Sequence, residues 1–405
     1  MNGRNTLLLI ILLMLVLIGL SFRFQGYENT WHIWNIPTLM PPFTDLRLLP
    51  GSAESFRAGY DPIYKNPGDP LGRHFNYPYA WYFVFYTGIQ QDDTIWIGAA
   101  LALGYFFCVW LFPRRIGLLS AGLMALVLFS PASMLAVERG NVDLFIFVLC
   151  TLTLLFMERQ TWLSTIILMI ASFLKLFPIF GVAVFLRESR SRFWIISLST
   201  FIVLLAYAGL TYPNISASFA YTEKGAELSY GVNVVPLYFE RLFDSKQLFD
   251  LLTPIFSLTG LGLSLFAAYR GSKSAPLPVI EPRHITAFRL GAMIYVGTFF
   301  IGNNWDYRLI FLLFTIPQLA EWATESSARK SAAMTITAMV VACWYLVQSH
   351  LAGITSGGQT IAYGIDQLSK WGLFAGLCYF FFASAPDWLK IEVAKAFEFR
   401  KTKTA

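Results

Sequence analysis

Long apolar runs separated by short polar segments fill the chain. A helix needs about 20 predominantly apolar residues to cross a bilayer. Runs of that kind lie at 6–22, 78–90, 94–112, 117–137, 141–157, 162–186, 193–211, 249–269, 287–302, 305–322, 331–348 and 368–385. The pattern predicts an all-α, polytopic transmembrane bundle of about 10–13 spanning helices, twelve if each run crosses once. The runs at 78–90 and 141–157 are short, which predicts tilted, broken or re-entrant segments there. The first run, Leu7 to Leu20 after Arg4, reads as a retained helix rather than a signal peptide. It is long, has no small-x-small cleavage site, and many spans follow. The whole chain, 1–405, is expected to form one integral membrane domain.

The longest early break in the apolar pattern, 23–77, predicts an extended first external loop. Its density of Trp31, Trp34, Tyr60, Tyr64 and Tyr77, with Pro37, Pro41, Pro42, Pro62 and Pro78, suits a segment held at the membrane interface. Within it, 44–58 predicts a short juxtamembrane helix, with Thr44 or Asp45 near its start and Gly59 after its end. Leu46, Leu48, Leu49, Ala53 and Phe56 give that helix an apolar side. No internal repeat or low-complexity tract is visible.

Composition fixes the solvent. Hydrophobic residues make up 56% of the chain, charged residues only 13%, and the mean hydropathy is +0.56. Soluble domains carry about 25% charged residues, so lipid must surround most of this surface. The net charge of +6 is no sign of nucleic-acid binding, because the cations are spread over short loops. Arg187, Arg190 and Arg192 fill one such loop; Arg270, Lys273 and Arg283 another; Arg329 and Lys330 a third. Lys390, Lys395, Arg400, Lys401 and Lys403 crowd a basic tail over 386–405. The positive-inside tendency makes this set cytoplasmic. Twelve full spans put the N-terminus inside too, but place Arg114 and Arg115 outside and the Glu138–Asn141 turn inside. Both of the latter reverse if one early run does not cross. Cys108, Cys150, Cys343 and Cys378 all sit in apolar runs and read as packing residues. The chain has no CxxC, no HExxH and no phosphate-binding G-x-x-x-x-G-K-[ST] loop. No cofactor is expected, a divalent metal is possible but not required by the sequence, and a soluble nucleotide is a poor candidate for direct donor.

Four polar clusters interrupt the apolar pattern where chemistry could occur. The first contains Asp45 and Arg47, with Asp61, Tyr64 and Tyr77 further along the loop. An acid at membrane level could take a proton from a hydroxyl, although Asp is also favoured as a helix N-cap. The second is Glu138-Arg139-Gly140-Asn141-Val142-Asp143, either a tight turn or a polar site at the start of a helix. The third is Lys175, inside a run of apolar residues, either an anion contact or a snorkelling cation. The fourth holds Asn304, Asp306 and Arg308; Arg308 suits a bidentate phosphate contact, with Asp306 orienting it, acting as a second acid, or closing a loop with it. The loop 211–247 adds Tyr221, Glu223, Lys224, Tyr230 and Asn233, a composition compatible with sugar contacts. Acids for a hydroxyl and cations for a phosphate, gathered in one cavity, suit transfer of a group from a lipid phosphate.

In order, Asp45, Gly59-x-Asp61-Pro62-x-Tyr64, Tyr77-Pro78, Gly140-Asn141 and Lys175-x-x-Pro178 between apolar runs resemble glycosyltransferase family 87. These are membrane enzymes of the GT-C superfamily that include polyprenol-phosphate-mannose-dependent mannosyltransferases. The resemblance covers about residues 40 to 320. It implies a GT-C helical fold and a polyprenyl-phosphate sugar donor, with mannose or a similar hexose or pentose. It further implies a lipid or glycan acceptor, inversion at the anomeric carbon, and a multi-pass cell-membrane protein with its site on the external or periplasmic side. Asp45 would be the general base, and Lys175 would lie near the donor phosphate, with Arg308 and Asn304 as further donor contacts. Arg47, Asp61, Tyr64, Tyr77, Glu138, Asn141, Asp143 and Asp306 are candidate substrate contacts. Family members often carry a His near the start of the later helix, where this chain has Asn304-Trp305-Asp306-Tyr307-Arg308. A transporter or lipid flippase is the main rival; it would more often show matched broken helices in two halves. A polymerase or ligase using a diphosphate-linked glycan is the second; a larger external loop with several arginines would favour it, and the candidate external loops here carry few.

Overall fold

The computed structural model describes residues 2–325, 327–355 and 357–398. The chain opens with α1 (Gly3–Gln25), whose Leu9, Leu12, Leu13, Val16, Leu17 and Leu20 face outward as lipid-contacting surface. The loop after it carries α2 (Tyr27–His32) and α3 (Thr44–Arg57). Next come α4 (Thr94–Leu111), α5 (Leu118–Leu128), α6 (Pro131–Arg139), α7 (Asp143–Met157), α8 (Thr161–Leu174) and α9 (Arg190–Leu210). The segment α10 (Tyr212–Tyr221) to α11 (Val234–Phe243) caps one end of the bundle. The second half contains α12 (Lys246–Ser272), α13 (Pro282–Ile301), α14 (Ile316–Glu325), α15 (Arg329–Cys343), α16 (Tyr345–Ala352), α17 (Gly358–Ala383) and α18 (Asp387–Glu398). A two-residue antiparallel pair, β1 (Ser229–Tyr230) with β2 (Asn304–Trp305), joins the capping segment to the α13–α14 connection. The expected all-helical polytopic bundle is what forms.

Among the described residues, five helices are long and apolar enough to cross a bilayer, or eight if each of three bent pairs is one span. The core lies around α13, whose most apolar window is 83% buried, against 17% for α1 and 11% for α9. Close approach there depends on Gly297, where any Cβ would meet the Phe180 ring.

One end of the bundle is tied by ion pairs. Glu158, just past α7, accepts from Arg283 at 2.6 Å and Arg114 at 2.7 Å. Glu188, before α9, accepts from the Thr161 hydroxyl at 3.0 Å, and Arg4 lies over the Trp110 ring at 4.5 Å. The α1 start, the α4–α5, α7–α8 and pre-α9 links and the α13 start therefore share this basic end. Arg114 and Arg115 join Arg187, Arg190 and Arg192, and the Glu138–Asn141 turn lies at the opposite end.

That reversal has two causes. The apolar stretch at 78–90 does not cross: Tyr79–Tyr86 is a short 3₁₀ helix packed beside α3 and α8, with the Trp81 indole donating to Leu174 O at 2.9 Å. The run at 162–186 is not one span but a hairpin. Lys175 leaves helical geometry (φ −146°, ψ 119°) after α8, and a 3₁₀ helix at Phe177–Arg187 returns beside it to the basic end. Twenty-five apolar residues look like a single crossing; Pro178 and Lys175 break it in the middle. The tail turns by 114° after α17, so α18 lies across the basic end. Arg400, Lys401 and Lys403 of the expected basic tail lie outside the described residues.

Candidate active site

Two of the helices that end at the opposite pole, α7 and α8, are short. At about 1.5 Å per residue, the 15 residues of α7 span about 22 Å, less than the roughly 30 Å hydrocarbon core. The α7 N-terminus and the α8 hairpin tip are thereby sunk below the longer helices around them. A cavity of about 940 Å³ fills the depression.

Asp45, Lys175, Arg308 and Asn304 all line it, as do Asn141 and Tyr77. Asp45 stands in the first turn of α3, yet it caps nothing; the cap position is Phe43, with left-handed backbone. Instead its Oδ2 accepts from Asn141 Nδ2 at 2.8 Å, and its Oδ1 lies 3.3 Å from Arg73 Nη1. The side chain remains 22% exposed, so a substrate hydroxyl can reach it. Arg73 is itself fixed by Asp69 at 2.9 Å and by the Thr44 carbonyl at 2.6 Å. Burial works against its charge, but Asp69 and Asp45 outweigh that and raise its pKa above the ordinary arginine value.

Beneath the cavity, Asp143 is fully buried. Its Oδ1 lies 3.3 Å from Lys175 Nζ and its Oδ2 accepts from Arg308 Nε at 3.1 Å. Lys175 also stands 5.2 Å from the centre of the Tyr77 ring, and Arg308 lies 4.3 Å over Phe177. The Arg308 guanidinium donates to Asn304 Oδ1, and Asn304 Nδ2 donates to Thr298 O at 2.6 Å. Asn141 joins the two groups: it donates to Asp45, and its Oδ1 accepts from the Asp143 backbone at 3.0 Å. Two cations share one carboxylate, which leaves one positive charge in excess facing the cavity. The remaining wall is apolar on one side, with Ile215, Phe219, Leu237, Phe249 and Ile301. Phe219 and Ile301 are more than half exposed, so this wall continues onto the outer surface of the bundle.

Several expected contacts lie elsewhere. Arg47 points away to Pro42 O and Gln91, tying α3 to the segment before α4. Asp61 closes a turn onto the Ile63 amide, and Tyr64 is exposed outside the cavity. Glu138 is buried behind the wall, accepting from the Leu39 amide and pairing with Arg139 at 3.2 Å. Asp143 supports the cations from below without lining the cavity. Asp306 does not orient Arg308; it turns away and pairs with Lys370 at 2.8 Å. Asn76 and Arg73 also line the cavity, and Arg73 was not singled out by the sequence. The only available signal for Arg73 was a cation in the same loop as Asp45.

Fold and site thus define an integral membrane protein with a carboxylate and an anion-receptive cation pair in one lipid-adjacent cavity. Glycosyltransferase family 87 matches residues 80–296, more than half of the chain, and the chain belongs to that family. It is a membrane glycosyltransferase, which displaces the transporter and flippase readings. Among solved structures, apo ArnT from Cupriavidus metallidurans is similar over 94% of this chain and 78% of that chain. The identity is 13% and the TM-score 0.37, too loose for any residue correspondence. No curated protein matches the sequence.

Proposed function

We propose that the protein transfers a sugar, mannose or a similar hexose or pentose, from a polyprenyl monophosphate to a hydroxyl of a lipid or glycan acceptor. One observation carries the reading: Asp45, Lys175 and Arg308 face a common cavity. Asp45 takes the proton of the acceptor hydroxyl as its oxygen attacks the anomeric carbon. The bond from that carbon to the phosphate oxygen breaks, and its electron pair leaves with the phosphate. Attack opposite the leaving group inverts the anomeric centre. Lys175 and the forked Arg308 guanidinium, oriented by Asn304, take the phosphate and the charge that grows on it. No step requires a metal.

The charge balance favours a monophosphate. Lys175, Arg308 and Asp143 sum to one positive charge, which matches the single negative charge of a phosphodiester. A diphosphate would leave one charge unmatched in a low-dielectric site. The apolar wall at Ile215, Phe219, Leu237, Phe249 and Ile301 suits the prenyl chain, which would enter from the bilayer. The Lys- and Arg-rich links gather at the other end, and the positive-inside tendency supports an external or periplasmic cavity.

The test is transfer by purified, reconstituted protein, with polyprenyl-monophosphate sugars, diphosphate-linked sugars and nucleotide sugars offered separately. Product from the monophosphate donor alone is expected. Product from a nucleotide sugar without lipid carrier overturns the donor assignment.

A further inference from the structure

Behind the cavity lies a second charged cluster that the transfer chemistry does not use. Lys370, on α17, is fully buried. Its ammonium lies 2.8 Å from Asp306 and 2.7 Å from Asp366, one helical turn earlier on α17, and donates to Ser229 O at 3.0 Å. Asp366 is also fully buried, and Asp306 is 2% exposed. Gln367 Nε2 adds a bond to Ser229 O at 3.2 Å. Burying three charges has a desolvation cost that well-packed apolar side chains would avoid. A cluster of this kind is weak evidence for stability and better evidence for holding one arrangement.

What it holds is the strand pair that carries the phosphate-side residues. Ser229 belongs to β1, and Asp306 directly follows β2. The Asp306 amide donates to Leu228 O at 2.7 Å, and the β1–β2 register pairs Tyr230 with Asn304. The polypeptide passes Gly231 with φ +130°, where a Cβ would run into Gly302 O; this close approach admits only glycine. Asn304, Asp306 and Arg308 alternate sides. Asn304 and Arg308 line the cavity, whereas Asp306 points to Lys370. From α13, the Thr298 hydroxyl meets Tyr230 OH at 2.8 Å, and Tyr295 OH donates to Lys370 O at 2.9 Å. Pulling Asp306 backward therefore sets how far Arg308 reaches forward.

We propose that Lys370 is a positioning residue. Anchored on α17 and gripping Asp306 and Ser229, it fixes the Asn304–Arg308 segment so that the Arg308 guanidinium meets the donor phosphate. This rests on the donor reading given above. Lys370 touches no substrate; it acts through Arg308. Its loss relaxes Arg308 and weakens phosphate binding, with little further loss once Arg308 is itself altered.

The experiment is a double-mutant cycle on the full-length protein in nanodiscs, read as affinity for a sugar-free polyprenyl monophosphate. Arg308→Lys and Lys370→Met are made singly and together, and thermal midpoints are recorded. Each single variant is expected to weaken binding about tenfold. The double variant is expected to be no weaker than about tenfold, because both act through one contact. Lys370→Met leaves two buried carboxylates without a cation, so Asp306→Asn/Asp366→Asn/Lys370→Met is made as well, removing all three charges together. That triple variant is expected to fold and to show the same loss of binding. Losses that multiply in the double variant, or wild-type affinity in a folded triple variant, overturn the positioning role alone. If wild-type protein fails to bind polyprenyl monophosphate, the donor reading falls first and this inference with it.

Discussion

Asp143 is the carboxylate on which the charge balance turns, and Asp143→Asn is its sharpest perturbation. In the native protein it stands 3.3 Å from Lys175 Nζ and 3.1 Å from Arg308 Nε, with no exposed surface. At an effective dielectric of 20, a unit pair at 3.3 Å attracts by about 5 kcal/mol, from which burial of each charge must be subtracted. Removing one partner from a buried group costs about 3–5 kcal/mol, because the remaining charges lose their compensation. Here two cations would be left facing each other, so the upper part of that range is expected. A phosphate supplies the missing negative charge. Asp143→Asn should therefore lower the thermal midpoint of the empty protein, and polyprenyl monophosphate should restore more of it than it adds to wild type. The assay is thermal unfolding in nanodiscs across a ligand titration. A variant with unchanged midpoint, or one that gains no more from ligand than wild type does, would refute the shared-carboxylate account.

Other expectations follow from the same contacts. Lys175→Ala should raise the donor KM about tenfold or more in steady-state transfer, with the fold retained by thermal melt. Arg73→Met should lower kcat while leaving the donor KM near wild type, since Arg73 holds Asp45 and not the phosphate. Asp61→Asn and Tyr64→Phe should transfer at wild-type rates, because both residues lie outside the cavity. Gly231→Ala should fail to give folded protein by size-exclusion profile, because its Cβ has no room beside Gly302 O.

The helical bundle was legible because apolar length is a strong signal, and so was the juxtamembrane helix, read at 44–58 and found at Thr44–Arg57. The site was partly legible. Asp45 stood out as an acid in the first external loop, Lys175 and Arg308 as cations inside apolar runs, and all three line the cavity. The parity of the early spans stayed open in the sequence because hydropathy does not distinguish a crossing from a hairpin. The run at 162–186 hides a reversal at Lys175–Pro178, and the run at 78–90 is aromatic enough to look like a span while lying at one end. Together the two features keep the later links on the basic side while moving Arg114 to that side and Glu138 to the other. Lys370 and Asp366 escaped because they straddle the expected start of the run at 368–385, Asp366 just before it and Lys370 just inside. The helix in fact begins at Gly358, and their spacing of four within it was the available sign. Asp306 was seen but given the wrong partner, since its sequence neighbour Arg308 faces the other way and its true partner is 64 residues distant.

The most direct test of the whole account is Asp45→Asn, measured for transfer and for binding of polyprenyl monophosphate in the same preparation. Loss of transfer by several orders of magnitude with phosphate affinity intact is the predicted result, since the base and the phosphate contacts are separate groups in one cavity. Transfer at the wild-type rate by Asp45→Asn would contradict the account at its centre.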